Sequence, residues 1–202
     1  MKALYLSIFV LLAAVSATAQ IRPVESLPIA VNYSKTIHLI FPSAVKYSQA
    51  VTDFVAVDNP ENVPHILRIK ANSKSFSKQT TVSVATEGGF FYSFNVSYAD
   101  SLEQTNYFLP DMRSIAPDTV FINEVSQTHL IAPEKVIYID YGDTCINVSK
   151  AENTENIIRM IARSGRVQQF PKQTNVSFAT ESGRFFTFNV DYREKPEAFV
   201  YE

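Results

Sequence analysis

QTTVSVATEGGFFYSFNVSY occupies Gln79–Tyr98, and QTNVSFATESGRFFTFNVDY occupies Gln173–Tyr192. The two stretches agree at 13 of 20 positions without a gap. In the first, Tyr92, Phe94, Val96 and Tyr98 alternate with Ser93, Asn95 and Ser97; in the second, Phe186, Phe188, Val190 and Tyr192 alternate with Thr187, Asn189 and Asp191. A period of two with large apolar residues on one side predicts a half-buried strand. Val82 and Val84, and likewise Val176 and Phe178, set the same rhythm in the run before it. Between the runs stand Glu87-Gly88-Gly89 and Glu181-Ser182-Gly183, and a glycine tolerates the positive φ of a tight turn. Each stretch therefore predicts an antiparallel hairpin.

The duplication reaches beyond the hairpin. Ile29-Ala30-Val31-Asn32 parallels Val120-Phe121-Ile122-Asn123, and His38-Leu39-Ile40-Phe41-Pro42 parallels His129-Leu130-Ile131-Ala132-Pro133. Tyr47 parallels Tyr138, and Ile66-Leu67-Arg68-Ile69 parallels Ile157-Ile158-Arg159-Met160. These pairs lie 91 residues apart, whereas the hairpins lie 94 apart. The change falls near Lys74–Ser77, which marks a loop, because loops absorb length cheaply. Ile37–Phe41, Val55–Val57 and Ile66–Lys70 are short β-branched runs. Asn153–Arg163 reads as strand by analogy with its alternating partner. Ten Tyr, fifteen Phe and five Gly favour strands throughout. The expected fold is all-β: two tandem small β-sandwiches of five to seven strands each, since a single open sheet would leave an apolar face wet. Burying the four large residues of a closing strand is worth roughly 6–12 kcal/mol before entropy.

The chain opens MKALYLSIFVLLAAVSATAQ: one charge, an apolar run and an Ala17-Thr18-Ala19 site, the pattern of a cleaved signal peptide. The expected division is signal peptide 1–19, first sandwich 20–99, linker 100–118 with Pro110 and Pro117, and second sandwich 119–202. Loss of Lys2 moves the formal charge from −2 to −3. With no basic block, nucleic-acid binding by a Lys/Arg stripe is unsupported. Cys145 is the sole cysteine, so no internal disulfide forms; it reads as a buried, inert side chain.

The stretches Thr36–Tyr47, Leu67–Ala71 and Gln79–Asp100, and more distantly His129–Tyr192, resemble the N-terminal domain of the TraN proteins of Bacteroidetes conjugative transposons. That domain is in turn similar to the periplasmic β-sandwich of TrbG/CagX-type components of type IV secretion channels. The resemblance implies a non-enzymatic, periplasmic or outer-membrane-associated part of a DNA-transfer apparatus, with envelope or conjugation-machine proteins as partners. TraN proteins continue into a different C-terminal domain; here a second copy of the N-terminal type stands in its place.

Catalytic and ligand motifs are sparse. No G-x-S-x-G, H-E-x-x-H or phosphate loop occurs, so neither an enzyme nor a cofactor is indicated. His38 and His129 are flanked by apolar residues without a second His or Cys at ligand spacing, and read as strand histidines on an outer face. Asp140-Tyr141-Gly142-Asp143 lacks the further acids of a calcium loop and reads as a plain acidic turn. Partner binding is expected at strand edges, at the polar segment Tyr107–Arg113 through Tyr107 and Arg113, and at the tail Tyr192–Glu202. The alternative is a free-standing adhesin or carbohydrate-binding module with an outward aromatic platform at Phe90, Phe91 and Phe185 beside the turns; against that platform stands the expectation that one ring of each packs beneath its turn.

Overall fold

The computed structural model describes residues 24–202; the expected signal peptide at 1–19 lies outside the described residues. Among the described residues, sixteen strands form four sheets of four. The first half contains β1 (Ser26–Val31), β2 (Ile37–Ile40), β3 (Val45–Ala50), β4 (Val55–Asp58), β5 (Ile66–Ala71), β6 (Thr80–Thr86), β7 (Phe91–Tyr98) and β8 (Asn106–Phe108). The second repeats it as β9 (Asp118–Ile122), β10 (Thr128–Ile131), β11 (Val136–Tyr141), β12 (Ile146–Lys150), β13 (Ile157–Ala162), β14 (Thr174–Thr180), β15 (Phe185–Tyr192) and β16 (Val200–Tyr201).

Each half is a sandwich of two sheets. In repeat 1 the orders are β1-β7-β6-β3 and β4-β5-β2-β8; in repeat 2 they are β9-β15-β14-β11 and β12-β13-β10-β16. The two duplicated hairpins are β6–β7 and β14–β15, with Gly89 and Gly183 at φ +79° and +83°. Val82, Val84, Phe94 and Val96 point into one core with Leu39, Leu67 and Ile69; Val176, Phe178 and Val190 point into another with Leu130, Ile158 and Met160. Asn153–Arg163 contains a strand, as its alternating partner implies. The three added residues of repeat 2 fall in the loop after β13, which holds a 3-10 turn at Val167–Gln169.

Local chemistry is copied along with the topology. The Asn32 side chain accepts from the amides of Ser34 and Lys35, and Asn123 does the same for Val125 and Ser126, so both copies turn into their second strand on an Asx turn. Both third strands shift register at the same place, between Val45 and Tyr47 and between Val136 and Tyr138. An extra residue there turns Tyr47 and Tyr138 outward although each lies two positions from a core valine.

Repeat 1 does not end at residue 99. Within the expected linker 100–118, β8 pairs in parallel with β2, the His38 amide donating to the Thr105 carbonyl and the Leu109 amide to that of Ile40. The tail of repeat 2 does the same through β16, where the His129 amide donates to Phe199. Each unit thus has eight strands rather than five to seven. The edge of the second strand carries unpaired main-chain groups, and three extended residues suffice to cover them. The short pairing leaves no hydrophobic period to read in the sequence.

Candidate functional site

The two sandwiches are docked on one another. The outward face of β4-β5-β2-β8 lies against the outward face of β9-β15-β14-β11. The burial of corresponding strands records this. β6 alternates buried and half-buried residues, whereas its counterpart β14 is buried at all seven positions; β2 is buried at all four, while β10 alternates.

At the centre, Ile40, Val63 and Ile66 of repeat 1 cluster with Tyr138, Ala179, Ile137 and Phe185 of repeat 2. Beside this apolar patch runs a polar seam. His38, fully buried, meets the Tyr138 hydroxyl through Nε2 at 3.0 Å, with Asp140 Oδ2 at 3.6 Å. Arg68 donates to Asp140 Oδ1 at 2.7 Å and to Asp58 on its other side. A proton on Nε2 faces both the phenol oxygen and the carboxylate. It leaves Nδ1, which has no partner, as a lone pair instead of an unsatisfied donor. Burial holds His38 down at about 4, against the raising pull of Asp140, with the Arg68 charge adding to the lowering. Burial first, then the Asp140 carboxylate, raises the Tyr138 phenol well above its ordinary range. The pair is neutral at pH 7, and its function is packing and hydrogen bonding.

At the seam's other end the main chain itself is held. Asn175 accepts from the Thr36 amide at 2.9 Å and donates to the Thr36 carbonyl at 3.0 Å, and Thr174 Oγ1 donates to the Ser34 carbonyl at 2.7 Å. This is the two-bond pairing of a strand neighbour, made by a side-chain amide. Lys35 Nζ donates to the Leu102 carbonyl, Gln173 Oε1 and Asn189 Oδ1 at 2.7, 2.8 and 2.9 Å. An ammonium has three donors and all three are used, so Lys35 is a clasp and not a free nucleophile, although burial brings it down to about 8. A cleft of about 500 Å³ opens beside it, lined by Asp100, Glu103, Lys172 and Asp191 among others.

The expected site residues disperse. Phe91 is 50 % exposed beside its turn, and Phe90 is open as well. Phe185, its counterpart, lies in the seam with its ring 5.0 Å from that of His38. Tyr107 belongs to β8 and packs on the first core; exposed Arg113 caps the Phe108 ring at 5.4 Å. The segment 107–113 and the tail therefore already cover edges of their own chain, and Phe91 and Phe185, one exposed and one in the seam, do not form a paired aromatic platform. His38 faces outward from its sheet but is buried beneath repeat 2, while His129 stays half-exposed. Asp140 is an ion-pair partner, not part of a plain turn; Asp143 accepts from the Cys145 amide. Cys145 is buried, and burial with Asp143 beside it pushes its thiol up to about 12. Among the described residues no group of three His, Cys, Asp or Glu is placed to hold a metal ion, and no helix is long and apolar enough to cross a membrane.

Comparison with known families matches this chain twice, at residues 29–102 and 120–196, to a single profile, described as "Domain of unknown function (DUF8473)". The chain belongs to the DUF8473 family. Each DUF8473 segment runs from the first strand through the hairpin, and β8 and β16 lie beyond its end. No curated protein matches. Among solved structures the chain is similar to tandem Ig domains of titin, at 10% identity, covering 85% of this chain and 95% of that one, TM-score 0.25. It is also similar to a Bacteroides ovatus mixed-linkage glucan utilization locus protein, SGBP-B, solved with a mixed-linkage heptasaccharide, at 10% identity, 87% and 46% coverage, TM-score 0.23. A protocadherin extracellular segment follows at 11% identity, 87% and 65% coverage, TM-score 0.26. At such scores the strand order and pairing above, not these likenesses, define the fold.

Sequence reasoning missed Lys35, Asn175, Gly142 and the His38–Tyr138–Asp140–Arg68 group as a site. A signal was present in the repeat itself. Asp140, Asn175 and Gly142 stand where repeat 1 has Gln49, Thr81 and Val51, and Lys35 and Lys70 stand where repeat 2 has Ser126 and Ile161. These outward positions, at which the copies part company, trace the polar part of the seam.

Proposed function

We propose that this chain is a non-catalytic interaction module of the bacterial envelope, a docking component of a TraN-like DNA-transfer apparatus. The observation that carries the reading is the use of polar and nucleophilic groups. Lys35, through Gln173 and Asn189, and His38, Arg68 and Asp140 are spent on joining the two sandwiches, and the Cys145 thiol is held protonated. What the fused pair offers to partners is surface, two broad outward sheet faces, while the edges of β2 and β10 are covered by the chain's own β8 and β16. The resemblance of Thr36–Tyr47 and Gln79–Asp100 to TraN and the secretory pattern of residues 1–19 support an envelope setting.

The test is in-cell cross-linking from a photoreactive residue at Phe91 or Val200, two exposed outward positions on opposite sandwiches. Adducts with conjugation or envelope-assembly proteins are expected. Adducts confined to glycans, with glycan binding lost in Phe90→Ala/Phe91→Ala, would replace this reading with a carbohydrate-binding one.

A further inference from the structure

Docking the first sandwich on the second covers one sheet of each and leaves one sheet of each uncovered. The uncovered sheet of repeat 2, β12-β13-β10-β16, is the counterpart of the covered sheet of repeat 1. The uncovered sheet of repeat 1, β1-β7-β6-β3, is the counterpart of the covered sheet of repeat 2. The internal contact is therefore heterologous, and the chain displays both halves of the same contact again, unfilled, at its two ends.

The free faces keep the apolar centre of the filled contact and its histidine and tyrosine, while the polar partners Lys35, Lys70, Asp140 and Asn175 are replaced by Ser126, Ile161, Gln49 and Thr81. On the first half, His38, Ile40, Ile66 and Arg68 recur as His129, Ile131, Ile157 and Arg159. Four of the five outward positions on these two paired strands are identical, Lys70/Ile161 being the exception. Of the inward positions, Leu39/Leu130 and Ala71/Ala162 are kept while Ile37/Thr128, Leu67/Ile158 and Ile69/Met160 are not. A core needs only matching volume, whereas a solvated face has no packing reason to hold its side chains. On the other half, Tyr138, Ser177, Ala179, Phe185 and Asn189 recur as Tyr47, Ser83, Ala85, Phe91 and Asn95. Tyr47 and Phe91 stand there as exposed large rings, and the opposite face carries half-exposed Ile131, Ile157 and Ile161 with exposed Val200.

We propose that this chain binds a second copy of itself head to tail, the β1-β7-β6-β3 face of one molecule seating on the β12-β13-β10-β16 face of the next in the manner of the internal contact. Tyr47 then meets His129 as Tyr138 meets His38, and Phe91 covers Ile131 and Ile157 as Phe185 covers Ile40 and Ile66. A heterologous contact of this kind does not stop at two; it grows as an open stack or closes into a ring. Several positions limit it, because Gln49, Thr81, Ser126 and Ile161 cannot repeat the bonds of Asp140, Asn175, Lys35 and Lys70. Gly142 lies where a Cβ would stand 2.4 Å from the Ser34 carbonyl oxygen, and its counterpart on the free face is Val51. The stack between chains stands open at that corner and is weaker than the internal contact. This inference goes beyond the envelope role and stands without it.

Sedimentation of the purified chain over a concentration series tests it, with Phe91→Arg and Ile157→Arg blocking one free face each. The expected results are reversible growth past the dimer for the unaltered chain, monomers for each variant alone, and a 1:1 heterodimer, no larger, for the equimolar mixture. Val51→Gly is expected to tighten association by about tenfold or more. Both substitutions sit on exposed or half-exposed positions, and unchanged thermal melts confirm folding. The proposal is overturned if both the unaltered chain and Val51→Gly stay monomeric at millimolar concentration, if Phe91→Arg assembles as the parent does, or if the two blocked variants fail to pair. A symmetric dimer that persists in the Phe91→Arg variant assigns the contact to two like faces and equally overturns it.

Discussion

Gly142 of the second repeat lies flat against the main chain of Ser34 in the first: a Cβ built on it would stand 2.4 Å from the Ser34 carbonyl oxygen and 2.9 Å from Cα of Lys35. In the first repeat the same place holds Val51, 70 % exposed, with nothing above it. One position, two environments, and the residue type follows the environment. Gly142→Val forces backbone apart from backbone. A loss of about 3 kcal/mol is expected. Calorimetry is expected to resolve the single transition into two, because each sandwich retains its own core.

Asn175 tests the polar end of the seam. Asn175→Ala leaves the buried amide and carbonyl of Thr36 without partners, at a cost of about 2–3 kcal/mol by chemical denaturation. Asn175→Thr, which installs the residue of repeat 1, is expected to cost nearly as much, since a hydroxyl on a shorter stem does not span both groups.

The pH dependence has a defined sign. The unfolded chain protonates His38 below about 6.5, but the folded chain does so only below about 4. Folding therefore loses stability as pH falls from 6.5 to 4, by about 3 kcal/mol for this one ring, and the loss levels off below 4. Half-buried His65 shifts in the same direction. Denaturation midpoints of the parent and His38→Gln, compared across that window, isolate the part due to His38: the variant is expected to follow a flatter curve.

Phe94 is wholly buried in the first core, whereas Phe188, its counterpart, is half-buried. Phe94→Ala is expected to cost about 3–5 kcal/mol, and Phe94→Asp to unfold repeat 1. Phe188→Asp unfolds repeat 2 with a smaller penalty. Hydrogen exchange, read separately for each hairpin, distinguishes the two.

The duplication, the hairpins and the all-β character were open to reading because strand alternation and a 91-residue offset are local signals. The docking of the halves was not. Its residues, His38, Asp140 and Asn175, look like an outward histidine, a turn acid and a strand asparagine until the partner sheet is placed over them. The capping strands β8 and β16 were hidden for a different reason. Two or three residues pair through their main chain, and main-chain hydrogen bonds leave no mark on residue type. Phe91 and Phe185 carry the same lesson: identical residues at equivalent positions, one exposed beside its turn and one pressed on His38.

The docked seam is tested most directly by methyl–methyl and methyl–aromatic nuclear Overhauser contacts across it, from Ile40 and Ile66 of the first repeat to Ala179 and Phe185 of the second, which share one buried cluster. Strong cross-peaks, with both repeats tumbling at one common rate, are predicted. Absence of these cross-peaks, with each repeat relaxing as an independent small domain, would contradict the docking and everything built on it.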